Sequence, residues 1–264
     1  MADGSDHRVR FRWHRRRAAA LGLAWALMPL AAALIAVAIA PVAAAQRSPG
    51  EAQRIVQETW MFKHGAPDPV AAFAQTADGS LWIGATSGLF RSDGARFELF
   101  RSPFGDRLWS NNIFTLLAAD DGLWIGYLFG GFSFVKDGKV TNYGELTGTV
   151  TAFARDRDGT VWAGSFPPKG RSGLWRFDGS AWQNVAADFG MPAEPVASVG
   201  FDRDGRLWIL VGGWGSQGPK QLYFLPRGER RVQKAGENLL VDHFTLDADQ
   251  HVLTSPEPRP GEPG

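Results

Sequence analysis

The sequence contains no cysteine among its 264 residues. Disulfide bonds, thiolate zinc sites and a cysteine nucleophile are therefore excluded. Histidine is also scarce, with five residues in the chain. Two lie near the N-terminus, and the other three, His64, His243 and His251, lack the spacing of metal ligands. We therefore expect no metal and no cofactor.

The chain also has no large net charge of either sign. Lys and Arg number 28 and Asp and Glu number 27, but six of the arginines lie within the first 17 residues. The rest of the chain has 22 basic and 25 acidic residues, which changes its formal charge from +1 to −3. No basic surface is left to indicate a nucleic-acid partner.

The arginine-rich N-terminus is followed by an uncharged run at residues 18–40, and small residues at Ala43 and Ala45 precede Gln46. This order is typical of a signal peptide, which we predict at residues 1–45. The run is also long enough to span a bilayer, so an uncleaved anchor in the inner membrane is the alternative. In both cases the remainder of the chain is expected to be exported.

The 32 glycines, 16 prolines and 11 tryptophans favour short strands joined by tight turns. The stretch DGSLWIGATSGLFRSDGARF at residues 78–97 contains two Asp-Gly pairs and an apolar run around a tryptophan. The same order recurs along the chain, with tryptophans at 82, 124, 162 and 208, spaced by 42, 38 and 46 residues. A degenerate fifth copy places Leu253 at the tryptophan position.

Each copy has the pattern of four short strands, and a period of about 40 residues is that of a β-propeller blade. We therefore predict an all-β propeller of about five four-stranded blades at residues 60–254, with a fifth blade that ends after two strands. Residues 46–59 are a lead-in, and the proline-rich tail at 255–264 is expected to leave the sheet. The incomplete ring indicates a piece of a longer protein. The first strands are predicted at 70–74, 113–118, 150–154, 196–201 and 244–246.

The repeated residues are predicted to be structural. Apolar runs such as 81–83 have no polar face, so we expect each blade to pack against a neighbour on both sides. Tryptophans supply bulk between blades, and the glycines at 84, 126 and 164 leave room for them. Aspartates bond the backbone of their own turns, where glycine accepts a positive φ. These structural residues are Asp78, Gly79, Trp82, Trp124, Asp158, Trp162, Asp204 and Trp208.

The segment from Trp60 to Trp182 resembles the two-component regulator propeller repeat. The resemblance is carried by Trp60, Gly65-Ala66-Pro67, Val70, Gln75-Thr76, Asp78-Gly79, Leu81-Trp82-Ile83-Gly84, Gly88-Leu89-Phe90-Arg91, Asp93-Gly94 and Phe97. Later copies keep the order in DRDGTVWAGS, GLWRFDG and DRDGRLWIL. The resemblance implies the periplasmic sensor region of a membrane histidine kinase or diguanylate cyclase, without the output domain.

The resemblance implies a ligand-sensing propeller of a two-component signal transduction receptor that is not itself an enzyme. Its partners would be a small molecule or oligosaccharide, together with a second copy or a sensor kinase. An exported propeller enzyme, such as a lyase or glycosidase that acts on a glycan, is the alternative. No loop combines acid, base and nucleophile candidates, which favours the sensor.

Propeller topology places the two Asp-Gly turns of each blade, between strands one and two and between strands three and four, on one face. Longer loops at 102–112, 166–172, 188–195 and 212–220 are expected on the opposite face. Variable loops on a rigid scaffold usually carry recognition. The predicted ligand-binding residues in these loops are Trp109, Asn111, Lys169, Arg171, Trp214 and Gln217.

Overall fold

The computed structural model describes residues 65–119, 121–144, 148–167, 171–213, 220–236 and 241–256. Their regular elements are β-strands, apart from one 3-10 turn at Ala187–Phe189. In this part of the chain no helix is long and apolar enough to cross a membrane. The predicted signal or anchor at 1–45 and the lead-in at 46–59 lie outside the described residues.

The strands form four antiparallel four-stranded sheets and one hairpin, each built from consecutive strands. Blade 1 contains β1 (Val70–Gln75), β2 (Leu81–Ala85), β3 (Gly88–Ser92) and β4 (Phe97–Leu99), and blade 2 contains β5 (Ile113–Ala119), β6 (Gly122–Tyr127), β7 (Phe132–Lys136) and β8 (Lys139–Tyr143). Blade 3 contains β9 (Thr149–Arg155), β10 (Val161–Phe166), β11 (Leu174–Phe177) and β12 (Trp182–Asn184), and blade 4 contains β13 (Val196–Phe201), β14 (Leu207–Val211), β15 (Gln221–Leu225) and β16 (Gln233–Lys234). The terminal hairpin contains β17 (Val241–Leu246) and β18 (Val252–Pro256).

This arrangement confirms the predicted propeller. The first strands β1, β5, β9, β13 and β17 contact one another in sequence order, so successive sheets lie side by side. In the described residues the fifth repeat supplies two strands, as expected. The prediction that the sheet ends at residue 254 is wrong by two residues, because Ser255 pairs with His243 and Pro256 with Val241. A proline is tolerated there because it lies at the end of its strand.

The second strands of blades 2, 3 and 4 are apolar on both sides because each side packs against a different blade. In blade 2, Trp124 belongs to a cluster that includes Val150 and Val161 of blade 3. Its neighbours Leu123 and Ile125 point the other way and join a cluster with residues of blade 1. Trp124 is 4% exposed and Trp162 is 6% exposed. Trp124 and Trp162 are therefore buried between blades.

The glycine two residues after the tryptophan allows a close approach between blades, but its partner is not the predicted one. A Cβ atom placed on each of these glycines would meet a β-branched residue near the start of the next blade's first strand. The pairs are Gly84 with Ile113 Cγ2 at 2.5 Å, Gly126 with Val150 Cγ1 at 2.6 Å and Gly164 with Val196 Cγ1 at 2.8 Å. The expectation that these glycines make room for tryptophan is therefore wrong.

A β-bulge recurs beside this contact in all five repeats. The register between the first and second strands shifts within the first two pairs of the first strand. The shifts fall between Val70 and Ala72, Ile113 and Thr115, Val150 and Ala152, Val196 and Ser198, and Val241 and His243. A bulge bends its strand and increases the local twist. The first strand therefore bends at the point where it approaches the preceding blade.

Blade 4 departs from the glycine pattern. Leu210 occupies the position of the glycine and is 1% exposed. It packs with Leu222 of its own blade and Phe244 of the terminal hairpin. This junction is therefore filled by a leucine side chain from the second strand.

The side of blade 1 that faces away from blade 2 is uncovered within the described residues. Val70 and Phe73 are 40% and 63% exposed. The matching residues of blade 2, Ile113 and Leu116, are 1% and 9% exposed because blade 1 covers them. The exposure of Val70 and Phe73 thus follows from their place in the repeat.

Replacing Trp124 by alanine is expected to lower the free energy of unfolding by about 3–5 kcal/mol, the usual cost of truncating a buried aromatic residue. Trp109 is 44% exposed, so Trp109→Ala is the matched control and should have a much smaller effect. Chemical denaturation of both variants measures the difference. Equal losses would show that Trp124 does not stabilise the junction of blades 2 and 3.

Gly126→Ala is expected to cost about 1–3 kcal/mol, because the added methyl group overpacks the junction against Val150. Val150→Ala removes Val150 Cγ1, the nearest atom that the new methyl group would meet, and leaves Val150 Cβ and Thr115 Cγ2, both at 2.7 Å. In the Val150→Ala background, Gly126→Ala should therefore cost less than in the native background, a difference that a double-mutant cycle measures. Additive losses would contradict the close approach.

Candidate functional site

In blades 3 and 4, an aspartate six residues before the tryptophan bonds both the turn between the first two strands and the indole at the blade junction. In blade 4, Asp202 Oδ1 accepts bonds from the backbone N–H groups of Asp204 and Arg206, both at 2.9 Å. Its Oδ2 accepts a bond from Trp208 Nε1 at 2.7 Å. Asp202 is 7% exposed. One carboxylate thus holds both the turn and the indole that packs between blades.

The same arrangement recurs in other repeats. Asp156 Oδ1 accepts bonds from the N–H groups of Asp158 and Thr160 at 3.0 and 2.8 Å, and its Oδ2 lies 3.4 Å from Trp162 Nε1. In the terminal hairpin, Asp247 bonds its own turn in the same way. The predicted residues Asp158 and Asp204 lie two positions later, on the exposed side of their turns. Their carboxylates face arginines, at 3.6 Å from Arg227 and 3.0 Å from Arg206 respectively.

Blade 1 has Thr76 in place of this aspartate, and here the predicted Asp78 completes the turn. Trp82 Nε1 donates to Thr76 Oγ1 at 3.1 Å, and that hydroxyl donates to Asp78 Oδ1 at 2.6 Å. The Thr76 bond, together with bonds from Ser80, lowers the pKa of Asp78 to about 2. Gly79 has a φ of 83°, the positive value predicted for this turn.

Two clefts open on the face that carries the Asp-Gly turns. The blade 3/4 cleft has a volume of about 610 Å³ and lies between Trp162 and the β15–β16 turn. The blade 1/2 cleft, of about 830 Å³, lies at the equivalent place between Trp82 and the β7–β8 turn. Both volumes are typical of small-molecule sites. Turns of both Asp-Gly sets line the blade 1/2 cleft, as expected if they share one face.

The blades differ in the third-strand residue that pairs with the tryptophan, and this residue is an arginine in the two blades whose tryptophan lines a cleft. Arg91 is opposite Trp82 and Arg176 is opposite Trp162. The corresponding residues of blades 2 and 4 are phenylalanines, and their rings contact the tryptophan: Phe134 lies 4.7 Å from Trp124 and Phe224 lies 5.3 Å from Trp208, centroid to centroid. Arginine at this position therefore accompanies an open cleft, and phenylalanine accompanies a packed junction.

The segment at 102–112 does not simply project from the opposite face. Pro103 lies beside the β7–β8 turn, next to Gly138, and the backbone carbonyl of Arg107 accepts a bond from Asn142 at 3.0 Å. Asn142 Oδ1 in turn accepts a bond from Ser133, whose hydroxyl accepts one from the buried Tyr127 at 2.7 Å. Burial raises the pKa of Tyr127 to about 12. A chain of polar side chains, buried at Tyr127 and exposed at Asn142, thus holds this segment along the outer edge of blade 2.

Three of the six predicted ligand-binding residues lie in the described part of the chain. Trp109 is beside Gly130, where an added Cβ would be 2.9 Å from its ring, and Asn111 is exposed before β5. Arg171 lines a smaller cleft of about 400 Å³ in blade 3, together with Trp175 and Met191. Lys169, Trp214 and Gln217 lie outside the described residues. The described residues hold no group of three or more acidic or histidine side chains that could bind a metal ion.

Comparison with known proteins identifies the repeat. Residues 144–166, which include β9 and β10, match the family model described as two component regulator propeller. The resemblance found in the sequence is thus confirmed for a segment within blade 3 and the loop before it. No curated protein matches the sequence significantly.

Solved propeller structures share this fold. The extracellular domain of a hybrid two component system from B. thetaiotaomicron is similar with a TM-score of 0.60 and 16% identity, over 75% of this chain and 29% of that one. A gluconolactonase from Xanthomonas campestris has a TM-score of 0.50 and 16% identity, over 71% of this chain and 69% of that one. The chain thus spans less than a third of the extracellular domain it matches.

Asp202→Ala is expected to lower the free energy of unfolding by about 2–3 kcal/mol, because two turn N–H groups and the indole of Trp208 lose a charged acceptor. Asp204→Ala removes an exposed ion pair and should cost less than about 1 kcal/mol. Thermal and urea unfolding of the two variants provide the comparison. A larger loss in Asp204→Ala would mean that the wrong aspartate has been assigned to the turn.

Proposed function

Because the chain carries a two-component regulator propeller repeat, we propose that it is the ligand-sensing propeller of a two-component receptor. The repeat lies within a propeller of the same fold as the extracellular domain of a hybrid two component system, and this supports the proposal. The predicted export segment at 1–45 is in keeping with a periplasmic location. The propeller would bind the ligand, and an output domain would carry out any catalysis.

The Asp-Gly turn face offers the best described surface for such a ligand. Its two clefts are of small-molecule size and lie between rigid sheets, so a bound molecule would contact two blades at once. A molecule in such a position favours one spacing of the two blades over others. Binding energy can shift a conformational equilibrium only through such a difference between states. The blade junctions are therefore suited to a sensor.

An exported enzyme is the second candidate, because the propeller fold is shared with a gluconolactonase. An enzyme of this kind would bring acid and base groups from several loops to one cleft. In the blade 3/4 cleft, the carboxylate of Asp156 bonds the turn and Trp162, and Asp158 faces Arg227. These contacts support a structural use of both carboxylates and favour binding over turnover.

The two candidates are separated by measuring binding and turnover on the same samples. The purified chain is mixed with a panel of oligosaccharides, sugar lactones and organic acids, and its melting temperature is recorded. A sensor is expected to show saturable stabilisation, about 2.7 kcal/mol at a ligand concentration 100 times the Kd, without product. Hydrolysis or elimination of any ligand at a rate proportional to the protein concentration would contradict the sensor assignment.

A further inference from the structure

The two clefts share one framework, which allows a residue-by-residue comparison. Their floors are built from matching residues of the following blade, Leu123 and Val135 in the blade 1/2 cleft and Leu207 and Leu225 in the blade 3/4 cleft. Each pair is joined across strands in the same register. The clefts therefore differ mainly in the charged groups on their walls.

In the blade 1/2 cleft, Arg91 is paired with a carboxylate of its own blade. Arg91 donates to Ser80 Oγ from Nε at 2.9 Å, and its Nη2 atom lies 3.2 Å from Asp78 Oδ2. This cleft also has more acidic than basic lining residues, with four carboxylates and two arginines. An anionic ligand would have to displace Asp78 from Arg91.

In the blade 3/4 cleft the corresponding arginine has no carboxylate partner among the described residues. Asp158, the counterpart of Asp78, faces Arg227 on the neighbouring blade at 3.6 Å. The Arg176 guanidinium lies over the ring of Trp162, 5.7 Å from its centroid. A cation–π contact orients the guanidinium but leaves its N–H donors available.

The other charges of the blade 3/4 cleft limit the ligand to a low negative charge. Four arginines and four acidic residues line it. Of the acidic residues, Asp156 and Asp158 are engaged as described, whereas Asp188 and Glu229 remain on the cleft wall. Because the four acidic and four basic lining residues balance, the cleft has no net positive charge to hold a polyanion, but a single carboxylate can pair with Arg176.

We propose that the blade 3/4 cleft binds a small molecule through one carboxylate, with Arg176 as the pairing residue. A guanidinium holds a carboxylate by two parallel hydrogen bonds, which fixes orientation as well as charge. The body of the ligand would lie against Phe189 and Leu225, which also line the cleft. This inference rests on the proposed sensor function and specifies its ligand as a monocarboxylate.

The test uses benzoate and galacturonate as probes of an aromatic and a sugar carboxylate, with benzamide and galactose as their neutral counterparts. Calorimetric titration of the full chain should detect at least one carboxylate and neither neutral compound. Arg176→Phe should weaken that binding at least about tenfold. The variant is expected to fold, because phenylalanine occupies the same position in blades 2 and 4 as Phe134 and Phe224.

Arg91→Phe is the matched control, since it makes the same change in the blade 1/2 cleft, and it should leave carboxylate affinity unchanged. Equal binding by Arg176→Phe and the native chain, equal binding of the neutral compounds, or no carboxylate binding up to about 10 millimolar would each overturn the proposal. If a neutral ligand from the panel stabilises both variants equally, the sensor function stands and only this inference fails. Turnover of a ligand would contradict the proposed sensor function, whatever effect Arg176→Phe has on binding.

Discussion

The spacing between blades depends on the contact of a second-strand glycine with the β-branched residue near the start of the following blade's first strand. At Gly126 there is no room for even a methyl group, because Val150 occupies it. The glycine lies near the end of its strand that leads to the β6–β7 loop, whereas Trp124 lies nearer the Asp-Gly turn. Blades are therefore held closest at one face, and a large ring fills the space near the other.

This asymmetry accounts for the location of the clefts. Space between blades is available at the tryptophan end, and the cross-strand neighbour of the tryptophan decides whether it is filled. In blade 2, Phe134, Tyr143 and the blade 3 residues Phe177 and Trp182 surround Trp124 with centroid distances of 4.7–5.4 Å. In blades 1 and 3, an arginine leaves part of that space to solvent. The cross-strand neighbour of the tryptophan is thus one position, among the several that surround the indole, that separates a packed junction from an open one.

The sequence predicted the blades well because their signals are local. Tryptophan spacing, Asp-Gly turns and doubly apolar strands mark each repeat, and the first strand Val196–Phe201 agrees with its predicted bounds. The partner of Gly126 could not be predicted in the same way, because it depends on the register and bulge of the next blade. The path of residues 102–112 depends on the buried hydroxyl of Tyr127, which no local pattern indicates.

The candidate site was less accessible to sequence reasoning. The role of Asp202 could have been inferred, since an acidic residue stands six positions before the tryptophan in blades 3 and 4. Arg91 and Arg176 follow their tryptophans by 9 and 14 residues, but both occupy the fourth position of a shared motif, GLFRSDG at 88–94 and GLWRFDG at 173–179. Their equivalence was therefore visible in the sequence, whereas the clefts beside them depend on how the next blade packs and were not.

The leucine at position 210 ties blade 4 to the repeat that follows it. Blades 1, 2 and 3 each combine a glycine with a β-branched residue near the start of the next blade, so their junctions are interchangeable in principle. Leu210 instead packs against Phe244, and a leucine at the position of Gly126 would collide with Val150. Duplication or exchange of blades by recombination is therefore compatible with the first three junctions, whereas moving blade 4 would require a compensating change in the repeat that follows it.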